Sequence, residues 1–300
     1  MRYKRRRLLL AGASLAAVGR LIRMPAHAQA ALLRKKIPSS GEEIPIIGLG
    51  TARRYESAAG ALRETLERYG ALGATVIDTA PVYGQAEAVL GDLLGELKLR
   101  PRLFLATKVS TSGREAGVQQ IEQSFRRLRT GKIDLIAVHN LRDTQTQLRT
   151  LRELKKQGRI RYVGITTSSD RQYGEFEETM RRQALDFIQV DYALDNRGAG
   201  ERILPLAAER AMAVMINLPF GRGRLFDAVR GKPLPPWASE FDCRSWPQFF
   251  LKYLVSHPAV TCAVPGMARP EYVEDNLGAA RGRLPDPAMR RRMERFIDGI

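Results

Sequence analysis

A chain of 300 residues, 44% of them hydrophobic, can bury one large core or two ordinary ones. Its formal net charge is +17, but seven basic residues precede position 28, where no acid occurs; without them 42 basic residues face 32 acidic ones, or +10. The other arginines are scattered along helical stretches such as "RRLRTGK" and "RRRMER", with no basic run interleaved with aromatics. The charge therefore reads as a solvated surface and not as a grip for nucleic acid.

Residues 1–28 read as an export signal. The basic head "MRYKRRR" leads into a modest apolar run from Leu8 to Val18, too short to span a bilayer. Ala26 and Ala28 supply the small residues a signal peptidase requires. Consecutive arginines ahead of leucines, with a weakly hydrophobic core rich in Ala and Gly, resemble a bacterial twin-arginine signal, with Leu8 or Leu9 at the usual phenylalanine. An ordinary basic helix or an uncleaved anchor is the alternative. The expectation is a periplasmic protein with residues 29–300 as one folded domain and no stable membrane span once the signal is cleaved.

In the mature chain, Lys36-Ile37 and Ile44 to Ile47 flank a Ser-Ser-Gly turn, which predicts a short β-hairpin. Eight apolar runs then read as strands: 45–48, 75–78, 103–108, 135–139, 162–166, 187–192, 213–218 and 261–265. Segments of helical period lie between them. The first places Ala58, Leu62, Leu66 and Tyr69 on one face. The next places Val118, Ile121, Phe125 and Leu128 together and stops at Gly131. Another starts on Asp143 as N-cap and ends at Gly158, and a later one runs from about Trp246 to Ser256. Strands this uniformly apolar, alternating with helices, imply an all-parallel sheet covered on its outside. Closed, that is an α/β fold of the (β/α)8 TIM barrel type; an open doubly wound sheet is the alternative, but no G-x-G-x-x-G follows an early strand. The longest irregular stretches are the loop from Asn196 to Gly200 and a Pro- and aromatic-rich segment after the seventh strand. Trp237, Phe241 and Trp246 in and beside that segment either line an apolar pocket or pack the loop onto the barrel. Cys243 and Cys262 lack metal-ligand spacing; an oxidising compartment would permit them to pair, but buried free thiols are expected.

Functional side chains of such barrels sit at the C-terminal ends of strands. Those ends are Asp78, followed in its loop by Tyr83, then Lys108 and His139. A lysine there is costly unless compensated, and Asp78 is an available partner. A phenol near that lysine would have its ionised form stabilised, which suits it to proton donation. His139 would orient a carbonyl oxygen. Singly, each residue has a plainer reading: a turn acid, a rim aromatic, a snorkelling lysine, a satisfied core histidine. The signal lies in their combination across three consecutive strand–loop units.

In order and spacing, "GLGT", "IDTAPVYGQAEAVLG", "LATKV", "DLIAVHN", "GRIRYVGITTSS", "FIQVDY" and "AVPGMARPEYVEDNLGAA" resemble the aldo/keto reductase family, from about Ile44 to Arg283. The resemblance implies a (β/α)8 barrel, an extended nicotinamide cofactor and a catalytic tetrad of Asp78, Tyr83, Lys108 and His139, with Tyr83 as general acid. It also implies cofactor contacts: Gly50 and Thr51 beneath the nicotinamide ribose with Asp78 close by, and Thr166, Thr167 and Gln189 around the carboxamide. Asn217 stands where an aromatic often stacks on the ring. Pro219, Phe220, Gly221 and Arg222 fall in the phosphate-cradling loop, and Asp275 and Asn276 match the adenine contacts. Gly266, Met267 and Tyr272 replace the lysine, serine and arginine that many members use for a 2′-phosphate, and Arg269 is the available substitute. By family habit NADP(H) is favoured over NAD(H).

The expected function is reduction of an aldehyde or ketone by NAD(P)H, with a small carbonyl compound as substrate. The alternative is a nicotinamide-binding barrel with little turnover, acting as a sensor or partner subunit. An unrelated barrel lyase or hydrolase lacks support from any convincing metal cluster. An exported reductase would carry its cofactor across in the folded state and would need a second substrate or a redox partner to recycle it.

Overall fold

The computed structural model describes residues 30–52, 55 and 60–300. The export signal read from residues 1–28 lies outside them, as does Ala58. Strands β1 (Arg34–Lys36) and β2 (Glu43–Pro45) form the expected antiparallel hairpin, with Arg34 opposite Pro45. Eight parallel strands follow: β3 (Leu49–Gly50), β4 (Val76–Asp78), β5 (Phe104–Val109), β6 (Ile133–Val138), β7 (Ile160–Thr166), β8 (Phe187–Asp191), β9 (Ala213–Asn217) and β10 (Cys262–Ala263). Each pairs with the next in chain order. Parallel bridges from Ile47 to Ala263 and from Gly50 to Gly266 join the two outermost strands and close the barrel.

The first barrel strand differs from the sequence expectation of 45–48. Pro45 is spent on the hairpin, and Ile46 and Gly48 form the closing seam through Ala263 N to Ile46 O (2.9 Å) and Gly48 N to Ala263 O (2.8 Å). At Gly50 a β-carbon would lie 2.6 Å from the Val264 carbonyl oxygen, so the seam closes this tightly only over a residue without one.

Period-2 alternation divides the strands into two apolar layers. Val76, Phe104, Leu135, Tyr162, Phe187 and Ala213 fill the barrel interior, and Ile37 and Ile44 of the hairpin join the same cluster. The ring of Tyr162 lies 5.8 Å from Phe104 and 5.4 Å from Phe187. The alternate residues, among them Ile77, Leu105, Ile136, Val163, Ile188 and Val214, pack in a second cluster with helix residues such as Leu66, Phe125, Leu151 and Phe176. Both faces are buried, which is why the strands lack a polar side. Carried upward, the interior positions turn polar, ending in Asp78, Lys108, Thr166, Gln189 and Asn217.

Helices α1 (Gly60–Ala71), α2 (Ala86–Glu96), α3 (Arg114–Arg127), α4 (Thr144–Lys156), α5 (Tyr173–Arg182), α6 (Ile203–Glu209), α7 (Arg224–Ala228), α8 (Trp246–Val255), α9 (Pro270–Gly278) and α10 (Pro287–Asp298) cover the outside. In α3, Ile121 and Phe125 are buried as expected but Val118 is exposed, because the face turned inward runs through Gly117 instead. That helix is ended by Leu128 and the left-handed Arg129 (φ 49°), two residues before Gly131. Asp143 stands at the N-cap of α4, yet its carboxylate accepts from Gly113 N (2.7 Å) and so ties two loops together. Gly158 closes the same helix with φ +73°.

Trp237, Phe241 and Trp246 pack the long loop onto α8 and α10. Trp246 lies 5.3 Å from Phe249, and Trp237 lies 5.6 Å from Phe249 and 5.8 Å from Phe296, ring centre to ring centre. Many arginines meet acids across the surface, as Arg114 does Glu153 (2.8 Å) and Arg182 does Glu178 (2.9 Å). Cys243 and Cys262 are both buried and unpaired. Among the described residues no helix is long and apolar enough to cross a membrane.

Candidate active site

The C-terminal end of the barrel opens into a cleft of about 690 Å³. Asp78, Tyr83 and His139 all border it, and Lys108 stands directly behind Asp78. Register explains the grouping. Asp78 pairs with Ala106 across β4 and β5, so Lys108, two residues further, emerges on the same interior face one layer higher. Its Nζ lies 2.9 Å from both carboxylate oxygens of Asp78 and 2.8 Å from the Thr79 carbonyl. With Lys108 only 2% exposed and Asp78 6%, neither charge has much water to fall back on. Burial alone would lower the pKa of Lys108, but the Asp78 carboxylate and then Tyr83 outweigh it and hold the ammonium above its ordinary value.

Tyr83 reaches the site from the loop between β4 and α2. Its N–H donates to Ala80 O and its carbonyl accepts from Ala86 N, both at 3.1 Å, and Gly84 (φ +59°) turns the chain into the helix. The tyrosine ring centre lies 5.2 Å from Lys108 Nζ and 6.0 Å from the His139 ring, which meets it edge-on at 84°. His139 follows β6 in a short 3-10 turn. That turn is held by Asn140 N donating to Thr166 Oγ1 (3.0 Å) and Gln172 Nε2 donating to Asn140 O (3.1 Å). Burial and then the charge of Lys108 push the His139 pKa down to about 3, so its imidazole is neutral at any ordinary pH. Its buried Nδ1 has no hydrogen-bond partner.

Gln189 and Asn217 also line the cleft, and in each a buried atom, Gln189 Nε2 and Asn217 Oδ1, has no hydrogen-bond partner. Thr51 is anchored beside them through Thr79 Oγ1 (2.9 Å) and the Asp78 carbonyl (3.2 Å). Of the residues expected at a cofactor, Gly50, Thr51, Asp78, Gln189, Asn217, Pro219, Phe220, Arg222 and Gly266 border this cleft. Gly221 borders an adjoining hollow of about 380 Å³ that also includes Asp191, Asp195 and Arg224.

Thr166 and Thr167 do not border the cleft. Their hydroxyls serve backbone and loop: Thr166 takes the Asn140 N–H, and Thr167 bonds Gln172 Oε1 (2.8 Å) and the Ser169 carbonyl (3.2 Å). Arg269, Asp275 and Asn276 also lie outside it. The Asp275 carboxylate accepts from Ser245 Oγ (2.6 Å) and Gln248 Nε2 (2.9 Å), and Arg269 sits over the Tyr272 ring beside Glu271. Val82, Asn140, Ser168, Leu218 and Phe226 are among the other lining residues. Sequence reasoning had no signal for them, apart from their places just after Pro81, His139, Thr167 and Asn217 and in the loop after β9. Val82 and Phe226 are exposed apolar side chains, 52% and 38%, at this mouth. Among the described residues no group of His, Cys, Asp and Glu is arranged to hold a metal ion.

A family model described as the aldo/keto reductase family matches residues 46–294. Among curated proteins, the methylglyoxal reductase YeaE of Escherichia coli (strain K12) is 30% identical over 260 residues, 81% of this chain and 88% of that protein. Among solved structures, an aldo-keto reductase from Klebsiella pneumoniae in complex with NADPH matches with a TM-score of 0.75 at 27% identity, covering 89% of this chain and 96% of that one. An aldo/keto reductase from the same organism in complex with NADP and acetate matches with a TM-score of 0.71 at 28% identity, covering 86% and 93%. With a closed (β/α)8 barrel, an acid–lysine pair behind a tyrosine and a histidine at its mouth, and a family match over most of its length, this chain is an oxidoreductase belonging to the aldo/keto reductase family.

Proposed function

We propose that the protein reduces an aldehyde or ketone to the alcohol at the expense of NADPH, with Tyr83 as general acid. The observation that carries this reading is the convergence of Tyr83, the Lys108–Asp78 pair and a neutral His139 on one cleft, which is also lined by Gln189 and Asn217, each with a buried polar atom left unpartnered. Those atoms and the size of the cleft fit a nicotinamide group. Gly50 and Thr51 would sit beneath its ribose, and Gln189 and Asn217 at its amide. Pro219, Phe220, Gly221 and Arg222 would follow the diphosphate, with Gly266, Arg269, Asp275 and Asn276 towards the adenosine. NADP(H) is taken over NAD(H) because the Klebsiella pneumoniae structures are complexes of NADPH and NADP.

When bound, the reduced nicotinamide supplies the hydride that reaches the carbonyl carbon. Neutral His139 donates a hydrogen bond that orients the carbonyl oxygen towards Tyr83. The Tyr83 hydroxyl gives that oxygen its proton, and the resulting phenolate is stabilised by the Lys108 ammonium until solvent returns the proton. Asp78 keeps the ammonium charged and aimed in a place where burial would otherwise discharge it. Val82 and Phe226 form an apolar lip that accepts the body of the substrate.

Fluorescence titration of the domain from Gln29 onward with NADPH and with NADH, followed by carbonyl-dependent oxidation of the bound form, tests the reading. Methylglyoxal is the first carbonyl to try, since it is the substrate in the name of the YeaE relative. Binding of neither nucleotide would remove the proposal.

The segment 1–28 we infer to be a twin-arginine signal, on the arginines at 5–7, the leucines that follow and the Ala26–Ala28 cleavage pattern. Replacing Arg5, Arg6 and Arg7 by lysine should trap the protein in the cytoplasm. An unchanged periplasmic fraction would reject the assignment.

A further inference from the structure

Gln189 is 4% exposed and its Nε2 has no hydrogen-bond partner, although it borders the cleft. A buried donor left in this state costs free energy unless a ligand satisfies it. One strand away, Asn217 Nδ2 donates to the Thr167 carbonyl at 2.9 Å. That bond settles which end of the side-chain amide is which, because only the NH2 end can face a carbonyl. The other end, Oδ1, is buried in the cleft wall with no partner of its own. The pairing of Gln189 with Met215 and of Asp191 with Asn217 puts the two side chains on the same interior face, one layer apart on adjacent strands. From strand geometry alone their Cα atoms are roughly 8 Å apart, a span that one planar group with an acceptor and a donor can bridge.

Building on the nicotinamide reading above, we infer that Asn217 and Gln189 together clamp the cofactor's carboxamide, with its oxygen accepting from Gln189 Nε2 and its NH2 donating to Asn217 Oδ1. Asn217 is thus a positioning residue that works by hydrogen bonding in place of ring stacking. The Thr167 carbonyl holds its side chain in the clamping rotamer before the cofactor arrives. The arrangement also accounts for the two threonine hydroxyls: with the carboxamide held from β8 and β9, Thr166 and Thr167 are free to fasten the His139 turn and the Ser169 loop.

The test uses affinities. Kd is measured for NADPH, for its reduced 3-acetylpyridine analogue, in which a methyl group replaces the carboxamide NH2, and for 2′-phospho-ADP-ribose, which lacks the nicotinamide. The wild-type protein should bind the analogue roughly tenfold more weakly than NADPH, because the analogue leaves Asn217 Oδ1 unsatisfied. In Asn217→Leu the two should bind alike, within about twofold, while 2′-phospho-ADP-ribose is held as in the wild type. Equal affinities in the wild type, or discrimination that survives Asn217→Leu, would overturn the clamp while leaving the cofactor reading intact. Failure of all three nucleotides to bind would remove both. If Asn217→Leu loses its near-UV circular dichroism, Asn217→Ala is judged by the same criterion.

Discussion

Lys108 and Asp78 form a two-pronged ion pair, with the ammonium nitrogen 2.9 Å from each carboxylate oxygen, at a depth where neither is more than 6% exposed. A pair so placed adds little net stability compared with two apolar residues, yet losing one partner strands the other's charge. Asp78→Ala should therefore destabilise the fold by about 3–5 kcal/mol, and Asp78→Leu with Lys108→Met should recover most of that loss without restoring activity. Urea denaturation of the two variants checks this. A single variant as stable as the wild type would show that the lysine is not held charged by Asp78.

Tyr83→Phe removes only the phenolic hydroxyl. The phenyl ring keeps its edge-on contact with His139 and its place beside Lys108, so the fold and cofactor affinity should change little. The turnover number should fall by about 10²–10⁴, the range expected for loss of a general acid. Stopped-flow turnover and nucleotide titration on the same sample separate the two effects. Near wild-type turnover would take Tyr83 out of the proton-transfer step.

His139 and His257 are the histidines that follow residue 28. Burial lowers both, to about 3 with the help of Lys108 and to about 4 with the help of Arg290 and Lys35. In the unfolded chain each titrates near 6.5. As pH falls below about 6.5 the unfolded state takes up protons that the folded state refuses. The stabilising contribution is therefore complete above that pH and is lost on the way down. Each histidine adds a slope of at most about 1.4 kcal/mol per pH unit. His139→Gln should flatten the dependence of unfolding free energy on pH between about 4.5 and 6 by close to one proton. The pH profile of kcat/KM in the wild type should show no ionisation near 6.5. A slope indifferent to the substitution would place His139 in water.

Both thiols are buried, Cys262 completely, and burial pushes Cys243 up to about 11 and Cys262 further still. Neither should react with a thiol-specific reagent in the native protein at pH 8, because the thiolate is the reactive form. Both should react once the chain is unfolded, without prior reduction. A native protein whose unfolded form yields no free thiol would mean that the cysteines have paired.

The parallel α/β layering is legible in the sequence, because uniformly apolar runs alternating with amphipathic helices have few ways to bury every face, and the absence of an early G-x-G-x-x-G favours the closed barrel over an open sheet. The sequence likewise placed Asp78, Lys108 and His139, since a strand end is read directly from where an apolar run stops, and Tyr83 follows from the five-residue spacing after Asp78. The first strand departs from its expected bounds: nothing local to residues 45–48 announces that Pro45 joins the hairpin and that the chain ahead of β3 forms the seam with Ala263.

Which polar groups are spent and which are left over depends on the folded barrel. The family resemblance assigns Thr166 and Thr167 to a carboxamide, but they stand outside the cleft and Asn140, Ser169 and Gln172 claim their hydroxyls. At Asn217 the sequence reports only that a stacking ring is missing; the Thr167 carbonyl holds one end of its amide and the other end is buried without a partner. Composition leaves Trp237, Phe241 and Trp246 as either a pocket wall or loop packing, and Phe249 and Phe296 decide for packing, while Val82 and Phe226 border the cleft. The physical reason is the same in each case. Periodicity reports which way a side chain points, whereas hydrogen-bond satisfaction and burial depend on partners that only the closed barrel brings within reach.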